Sequence, residues 1–153
     1  MANYTGADVI TASDVTKYQP DAFDFGLANN STEVVNFLAQ TTNDILRQLR
    51  IEWWPVYKTN IFTDITVLNT AEMVNTKVNL DQFERAGVYL FLGRFYLPSL
   101  TKFRPETEKD RFERMAEYYM SQYNSEWRMI LEDGVEYDVD SSGTIVANER
   151  ESL

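Results

Sequence analysis

Residues 79–98, NLDQFERAGVYLFLGRFYLP, decide the architecture. Leu80, Phe83, Val88, Tyr89, Leu90, Phe91, Leu92 and Phe95 cover nearly every side of a helix drawn through them. A helix that is apolar all round has no solvent face, so it must lie at the centre of a bundle or between subunits. It is not a membrane span. Its most apolar part, Gly87 to Leu97, contains Arg94 and falls well short of the ~20 residues that a bilayer requires. Pro98 is expected to close the helix, because proline removes a ladder donor and its ring crowds the turn before it.

The flanking sequence supplies the covers. Upstream, Asn30-Ser31-Thr32-Glu33 has the spacing of a capping box, with Asn30 as cap and Glu33 reaching back. From there Val34, Val35, Leu38, Thr42, Ile45, Leu46 and Leu49 recur at helical steps to about Glu52. Arg47 and Arg50 suit the negative end of that helix, and Pro55 is expected to stop it after Trp53-Trp54. Downstream, Phe112, Met115, Tyr119, Tyr123, Trp127 and Ile130 mark the buried stripe of a long helix that opens at Pro105 and ends at Gly134. Thr11 to Tyr18 (TASDVTKY) predicts a short helix stopped by Pro20, followed by a loop over 20–30. Residues 56–78 read two ways: Ile61, Thr63, Ile65, Thr66 and Val67 favour strands, whereas Ala71 to Lys77 could equally start a helix, so a long connection with some extended structure is expected.

After Gly134 the period drops from 3.6 to 2. Val135, Tyr137 and Val139 alternate with Glu136 and Asp138, Asp140-Ser141-Ser142-Gly143 is a turn sequence, and Thr144-Ile145-Val146 returns. This predicts a β-hairpin. The expected fold is mainly α, a small bundle of three to four helices with a C-terminal β-hairpin and extended terminal arms. It forms a single domain over 1–153: an N-terminal arm and short helix (1–30), the bundle with its 56–78 connection (31–132), and a hairpin with an acidic tail (133–153).

Composition excludes several functions. The 153 residues contain no cysteine and no histidine, which removes disulfides, thiolate nucleophiles, Cys/His zinc sites and histidine-dependent triads. Twenty-four acids stand against 14 bases, a net charge of −10. Residues 1–33 hold five acids and one base, and residues 132–153 hold seven acids and one base; the stretch between them is neutral. A protein that grips phosphates carries a basic surface, so nucleic-acid binding is not expected. The opening MANYTGADVI has neither a basic region nor a long apolar one, so no secretory signal is expected, and the absence of cysteine fits a reducing cytosol.

One motif has metal-ligand spacing. Asp138-Val139-Asp140-Ser141-Ser142-Gly143-Thr144-Ile145-Val146-Ala147-Asn148-Glu149 matches a calcium-binding EF-hand loop at positions one, three, five, six and twelve. An EF-hand needs an entering and an exiting helix, whereas strand-like alternation leads in and only Arg150 to Leu153 follow. The segment is therefore read as an Asp/Ser/Gly turn that needs no metal. Paired carboxylates such as Asp21 with Asp24, or Glu106 with Glu108, read as solvated helix ends and loops. No phosphate-cradling or nucleophile motif is present, so neither an enzymatic activity nor a cofactor is expected.

Aromatics make up 14% of the chain, a surplus for a body this size, and large rings anchor interfaces. Trp53 and Trp54, adjacent at a helix end, point in different directions, so one is expected in the core and the other against a neighbour. The hairpin has an open edge able to add a strand to a partner. The expected partner-interface residues are thus Trp53, Trp54, Tyr137, Val139, Ile145 and Val146.

The order of ITASDVTKYQP, NDILRQLRIEWWP, SEWRMILEDG and VEYDVDSSGTI resembles the head–tail connector proteins of tailed bacteriophages, also called adaptor or head-completion proteins. The resemblance covers most of the chain. It implies a small helical bundle that forms a ring, usually twelvefold, beneath the portal. Such a ring joins the portal to the tail or the next neck ring and continues the DNA channel, with terminal arms threading into neighbouring subunits. It also implies residence in the virion neck after assembly in the host bacterial cytoplasm, with portal and tail or neck proteins as partners and no membrane. Packaged DNA would pass without specific binding, which suits acidic extremities, since an acidic lining repels a polyanion. The alternative is an acidic inhibitor or DNA mimic that blocks a nucleic-acid enzyme, although a mimic should spread carboxylates over its body, and residues 34–131 are balanced.

Overall fold

The computed structural model describes residues 8–24, 28, 30–101, 106–137 and 146–148. The protein is mainly helical. Its helices are α1 (Ala12–Tyr18), α2 (Thr32–Glu52), α3 (Trp54–Ile61), α4 (Ile65–Thr70), α5 (Glu84–Leu90), α6 (Leu97–Leu100) and α7 (Glu106–Asp133). Strands β1 (Val135–Tyr137) and β2 (Val146–Asn148) pair antiparallel, with Val135 opposite Asn148 and Tyr137 opposite Val146. The turn between them, with Asp138 and Val139 to Ile145, lies outside the described residues. So do residues 1–7, Pro105 and the tail beyond Asn148.

The apolar segment lies at the centre, as its composition requires. Leu80, Phe83, Val88, Leu90, Phe91, Leu92 and Tyr96 are all buried. It is not one α-helix. A 3₁₀ turn (Leu80–Phe83) leads into α5, and a single π turn (Phe91–Tyr96) joins α5 to α6. The Leu97 amide bonds back to the Leu92 carbonyl across that wide turn. Pro98 does not close the helix. It sits in the first turn of α6, where a missing N–H leaves nothing unpaired, and the π turn takes up the change of register.

α7 packs along one side of this rod and α2 along another. The α7 stripe is the expected one: Phe112, Tyr119, Tyr123, Trp127 and Ile130 are buried and Met115 is half-buried. The helix stops at Gly134, whose φ of 103° is open to glycine and costly for other residues. α2 begins one residue later than its capping-box spacing suggests. Ser31, not Asn30, is the cap, its hydroxyl accepting from the Val34 amide at 3.3 Å. Serine caps as well as asparagine does, and the box with Glu33 does not form.

In the connections one expectation fails and another holds only in part. Pro55 does not end helical structure, because it occupies the first turn of α3. Trp53 keeps helical angles (φ −104°, ψ −47°), and the Tyr57 amide reaches the Trp53 carbonyl at 3.1 Å, so α3 follows α2 almost without a gap. Residues 56–78 are extended only in part: Phe62, Asp64, Ala71, Val74 and Val78 have extended angles, and between them lie most of α3, α4 and a 3₁₀ turn at Asn75–Lys77. Asp64 nucleates α4 by accepting from the Thr66 amide at 2.9 Å, a local cap that outweighs the strand preference of Ile65 and Val67.

The N-terminal segment is no arm over its described part. Thr11 caps α1 in a full capping box with Asp14. Val9, Ile10, Val15 and Ala22 are buried in the subunit's own core. The Val9 amide donates to Thr42 Oγ1 on α2 at 2.8 Å, and both Val9 and Ile10 fill the space above Gly87. Lys17 pairs with Glu84 at 3.1 Å, and Arg94 with Asp44 at 2.9 Å. Such exposed pairs contribute at most about 1 kcal/mol each, so burial holds the segments together. Among the described residues no helix is long and apolar enough to cross a membrane.

Candidate interaction surface

Three of the residues expected at a partner interface, Trp53, Trp54 and Tyr137, meet one another inside the subunit. Trp53 stacks on Tyr57 with ring centroids 4.4 Å apart. Tyr137 of β1 inserts among Trp53, Trp54 and Tyr57 at 5.8, 5.4 and 5.7 Å. All four rings are at most 5% exposed. The expectation that Trp53 or Trp54 faces a neighbour is therefore corrected, and Tyr137 with them. The short loop between α7 and β1 lays the strand across the α2–α3 junction, and burying four rings there outweighs leaving any of them in water. Of the other expected interface residues, Val139 and Ile145 lie outside the described residues. Val146 is placed only by its backbone pairing with Tyr137.

β1 is clamped as well as packed. Val78 forms an antiparallel bridge to Tyr137, and the Asn79 amide donates to the Glu136 carbonyl at 3.1 Å. The Gln82 side chain donates to the Gly134 carbonyl at 2.6 Å and accepts from the Glu136 amide at 3.1 Å. The Tyr137 hydroxyl accepts from the Val74 amide at 3.1 Å, and Trp54 Nε1 donates to the Ala71 carbonyl at 3.2 Å. The chain from α3 to Lys77 is thus tethered around Trp54.

Trp53 Nε1 and the Tyr57 hydroxyl are buried without a hydrogen-bond partner among the described residues. Burial raises the Tyr57 pKa to about 12, with Tyr137 adding to it. The folded state therefore favours the neutral phenol over the phenolate. That preference stabilises the fold fully below pH ~10, the ordinary tyrosine value, and is lost as pH rises towards 12. Tyr57→Phe removes a hydroxyl that has no partner. Its stability at pH 7 is expected to match or slightly exceed that of the parent, and its loss of stability between pH 10 and 12 is expected to be shallower. Urea titrations at neutral and alkaline pH check both.

The large apolar side chains left exposed are mostly aliphatic. Of the eight exposed large hydrophobic residues among the described residues, five lie between 51 and 74: Ile51, Val56, Ile65, Val67 and Val74. Ile51 and Ile65 are 63% and 71% exposed. α4 buries no residue at all. A six-residue helix has too few hydrogen bonds to hold itself in water without packing, so α4 depends on its cap and its tethered ends. Beside Ile51 an open groove of about 370 Å³ is lined by Asp44, Arg47, Gln48, Glu52 and Arg94. Below it the Tyr123 hydroxyl donates to Gln48, and burial raises the Tyr123 pKa strongly.

The cations around this surface are only partly neutralised. Arg94 pairs with Asp44, and Arg50 donates to Asn75 at 2.7 Å. Arg47 and Lys58 have no hydrogen bond or ion pair among the described residues. Sequence pattern hides this surface, because Ile61 to Val67 alternate branched and polar residues in the manner of a strand. The available signal is charge: residues 59–76 hold only Asp64 and Glu72 as ionisable groups. Among the described residues no cluster of carboxylates has the grouping of a metal site. Glu149 and the 138–145 part of the loop with calcium-like spacing lie outside the described residues, and Val146 to Asn148 are placed by backbone pairing alone. No protein-family profile, no curated protein and no solved structure matches the chain.

Proposed function

We propose that this chain is a structural subunit of a tailed-bacteriophage neck. In this reading, copies form a ring, usually twelvefold, that joins the portal to the tail or the next neck ring and continues the DNA channel. The carrying observation is that five aliphatic side chains between Ile51 and Val74 are exposed beside a well-packed core. Apolar surface gathered on a small protein marks an interaction site, and a closed ring is built from unlike, mutually fitting faces. The order of sequence elements that resembles connector proteins supports the same reading. So does the charge distribution, since DNA slides most freely past a lining that does not hold phosphates. The virion neck is the corresponding location.

The test is direct. Purified chain mixed with portal particles is expected to give ring-shaped additions at the portal in electron micrographs. A chain that stays monomeric and leaves portal, neck and tail proteins unbound would refute the proposal. The DNA-mimic reading makes the opposite prediction, competition with duplex DNA for a basic enzyme. The balanced charge of residues 34–131 argues against it.

A further inference from the structure

We infer that the outward side of α7 is a contact for a second copy of this chain, with two α7 helices lying parallel and in register about a two-fold axis. Outside residues 51–74, the exposed large hydrophobic residues among the described ones are Val35, Tyr118 and Met129. Tyr118 and Met129 are 59% and 48% exposed and stand about three turns apart on one helix, so they share a face. Met115, Gln122 and Ser125 fall on the same line, and the steps through 115, 118, 122, 125 and 129 alternate between three and four. That is the spacing of a coiled-coil seam, here without a charge in it. The seam lies about a third of a turn from the buried stripe of Phe112, Tyr123 and Ile130, so the core does not use it. Met115 and Gln122 are half-buried and Ser125 is exposed. The next positions at its two ends hold Arg111 and Glu132, both exposed, and these charges bound it.

The charges beside the seam choose the orientation. One edge carries Arg114 and Arg128, the other Glu126 and Asp133. The side chains of Arg114, Arg128 and Asp133 have no hydrogen bond or ion pair among the described residues, and Glu126 reaches Arg85 of its own subunit at 3.7 Å. In a parallel pair the basic edge of each copy faces the acidic edge of the other, so Arg128 meets Asp133 of the second copy on both sides of the axis. An antiparallel pair would set Arg114 against Arg128. Gln122 sits mid-seam, where a polar residue fixes register at some cost in strength. A two-fold contact closes on itself as a pair, whereas a ring needs unlike faces, so this pairing belongs to the free chain. It uses none of the exposed aliphatics between Ile51 and Val74, and it does not rest on the neck reading.

The chain has no cysteine, so a single introduced thiol reports the seam. In a parallel pair Ser125 faces its own copy, and a disulfide forms where Cα atoms stand about 6 Å apart. Under mild oxidation of the full chain, Ser125→Cys should be trapped as a disulfide dimer about tenfold faster than Asn124→Cys, an exposed neighbour that points off the seam. Sedimentation equilibrium of the parent should show monomer and dimer exchanging as concentration rises to ~1 mM, the weak association expected of a seam with apolar ends and a polar middle. Arg128→Asp should raise the dissociation constant about tenfold, and adding Asp133→Arg should restore most of the loss. Both positions are exposed, and thermal melts of the variants should match the parent. The contact is overturned if the parent stays monomeric at ~1 mM. It is equally overturned if Asn124→Cys is trapped as readily as Ser125→Cys, or if the charge exchange fails to restore pairing. An Arg128→Asp variant that pairs more tightly than the parent also overturns it, because an antiparallel seam would set that aspartate against Arg114.

Discussion

Replacing Gly93 with alanine is expected to lower stability by about 3 kcal/mol, and replacing it with valine to prevent folding at 37 °C. Gly93 lies in the π turn, where the central rod meets α7 most closely. A Cβ added there would stand 2.9 Å from Met120 Cγ, 3.0 Å from the Ala116 carbonyl oxygen and 3.0 Å from the Met120 amide nitrogen. Methionine can move its side chain, but two of these atoms belong to the α7 backbone and cannot rotate aside. The helices must separate, and that loosens Tyr96, Phe112 and Tyr123 together, because close-packed interiors transmit displacement. Small domains have only about 5–15 kcal/mol in total, so an alanine here should lower the melting temperature by ~10 °C. Gly87 is the internal control. A Cβ there meets side-chain atoms of Val9 and Ile10 at 3.0 Å, on a segment held mainly by apolar contact and one hydrogen bond. Gly87→Ala also gains helix propensity, so its net effect should stay within about 1 kcal/mol. Thermal melts of the two alanine variants side by side check the contrast; equal effects would mean that α7 yields as readily as the N-terminal segment.

Trp54→Ala is expected to cost about 4 kcal/mol, the range for removing a buried large aromatic. Beyond the cavity, it removes the Nε1 bond to the Ala71 carbonyl and the ring contacts to Tyr57, Phe62 and Tyr137. Those contacts hold down a chain whose helix α4 has no buried residue of its own. Limited proteolysis should therefore cut first between Phe62 and Val74 in the variant, with α2 and α7 surviving longest. Trp54→Phe keeps a ring but not the hydrogen bond, and it should recover more than half of the loss. Urea unfolding followed by circular dichroism measures the stability; a variant as stable and as protease-resistant as the parent would show that α4 is held by something other than this ring.

Elements governed by near neighbours in the chain are legible in the amino-acid order alone. The helix over Thr11–Tyr18 is legible from its cap candidates and from Pro20, while the choice of Thr11 over Ser13 as cap, boxed with Asp14, is made in the structure. The buried stripe of α7 needs only its own periodicity, and its end needs Gly134. The central position of residues 79–98 follows from their apolar surface, which has nowhere else to go. Residues 56–78 are not legible this way. Branched residues favour strands weakly, and that preference is overridden by an aspartate cap at 64 and a proline placed for a helix start at 55. Both act through their position in a turn, which composition does not reveal.

The candidate surface shows the same division. The sequence marks Trp53 and Trp54 as large anchors, but burial depends on what arrives from elsewhere, and here Tyr137 arrives from more than 80 residues away. With that ring in place the tryptophans turn inward, and the smaller aliphatics of Ile51 to Val74 remain outside.

By itself, then, the chain order determined a mainly helical body around one apolar rod, a charge-balanced trunk with acidic ends, and the absence of any histidine or cysteine chemistry. Only the tertiary structure decided which rings are core and which surface is left for others. It also buried Val9, Ile10, Val15 and Ala22 in the subunit's own core and carried the central helix through Pro98 by a π turn. The reason is physical: periodicity and capping act over a few residues and are written locally, whereas burial is a competition among all apolar groups for a limited interior, settled only once distant segments have met.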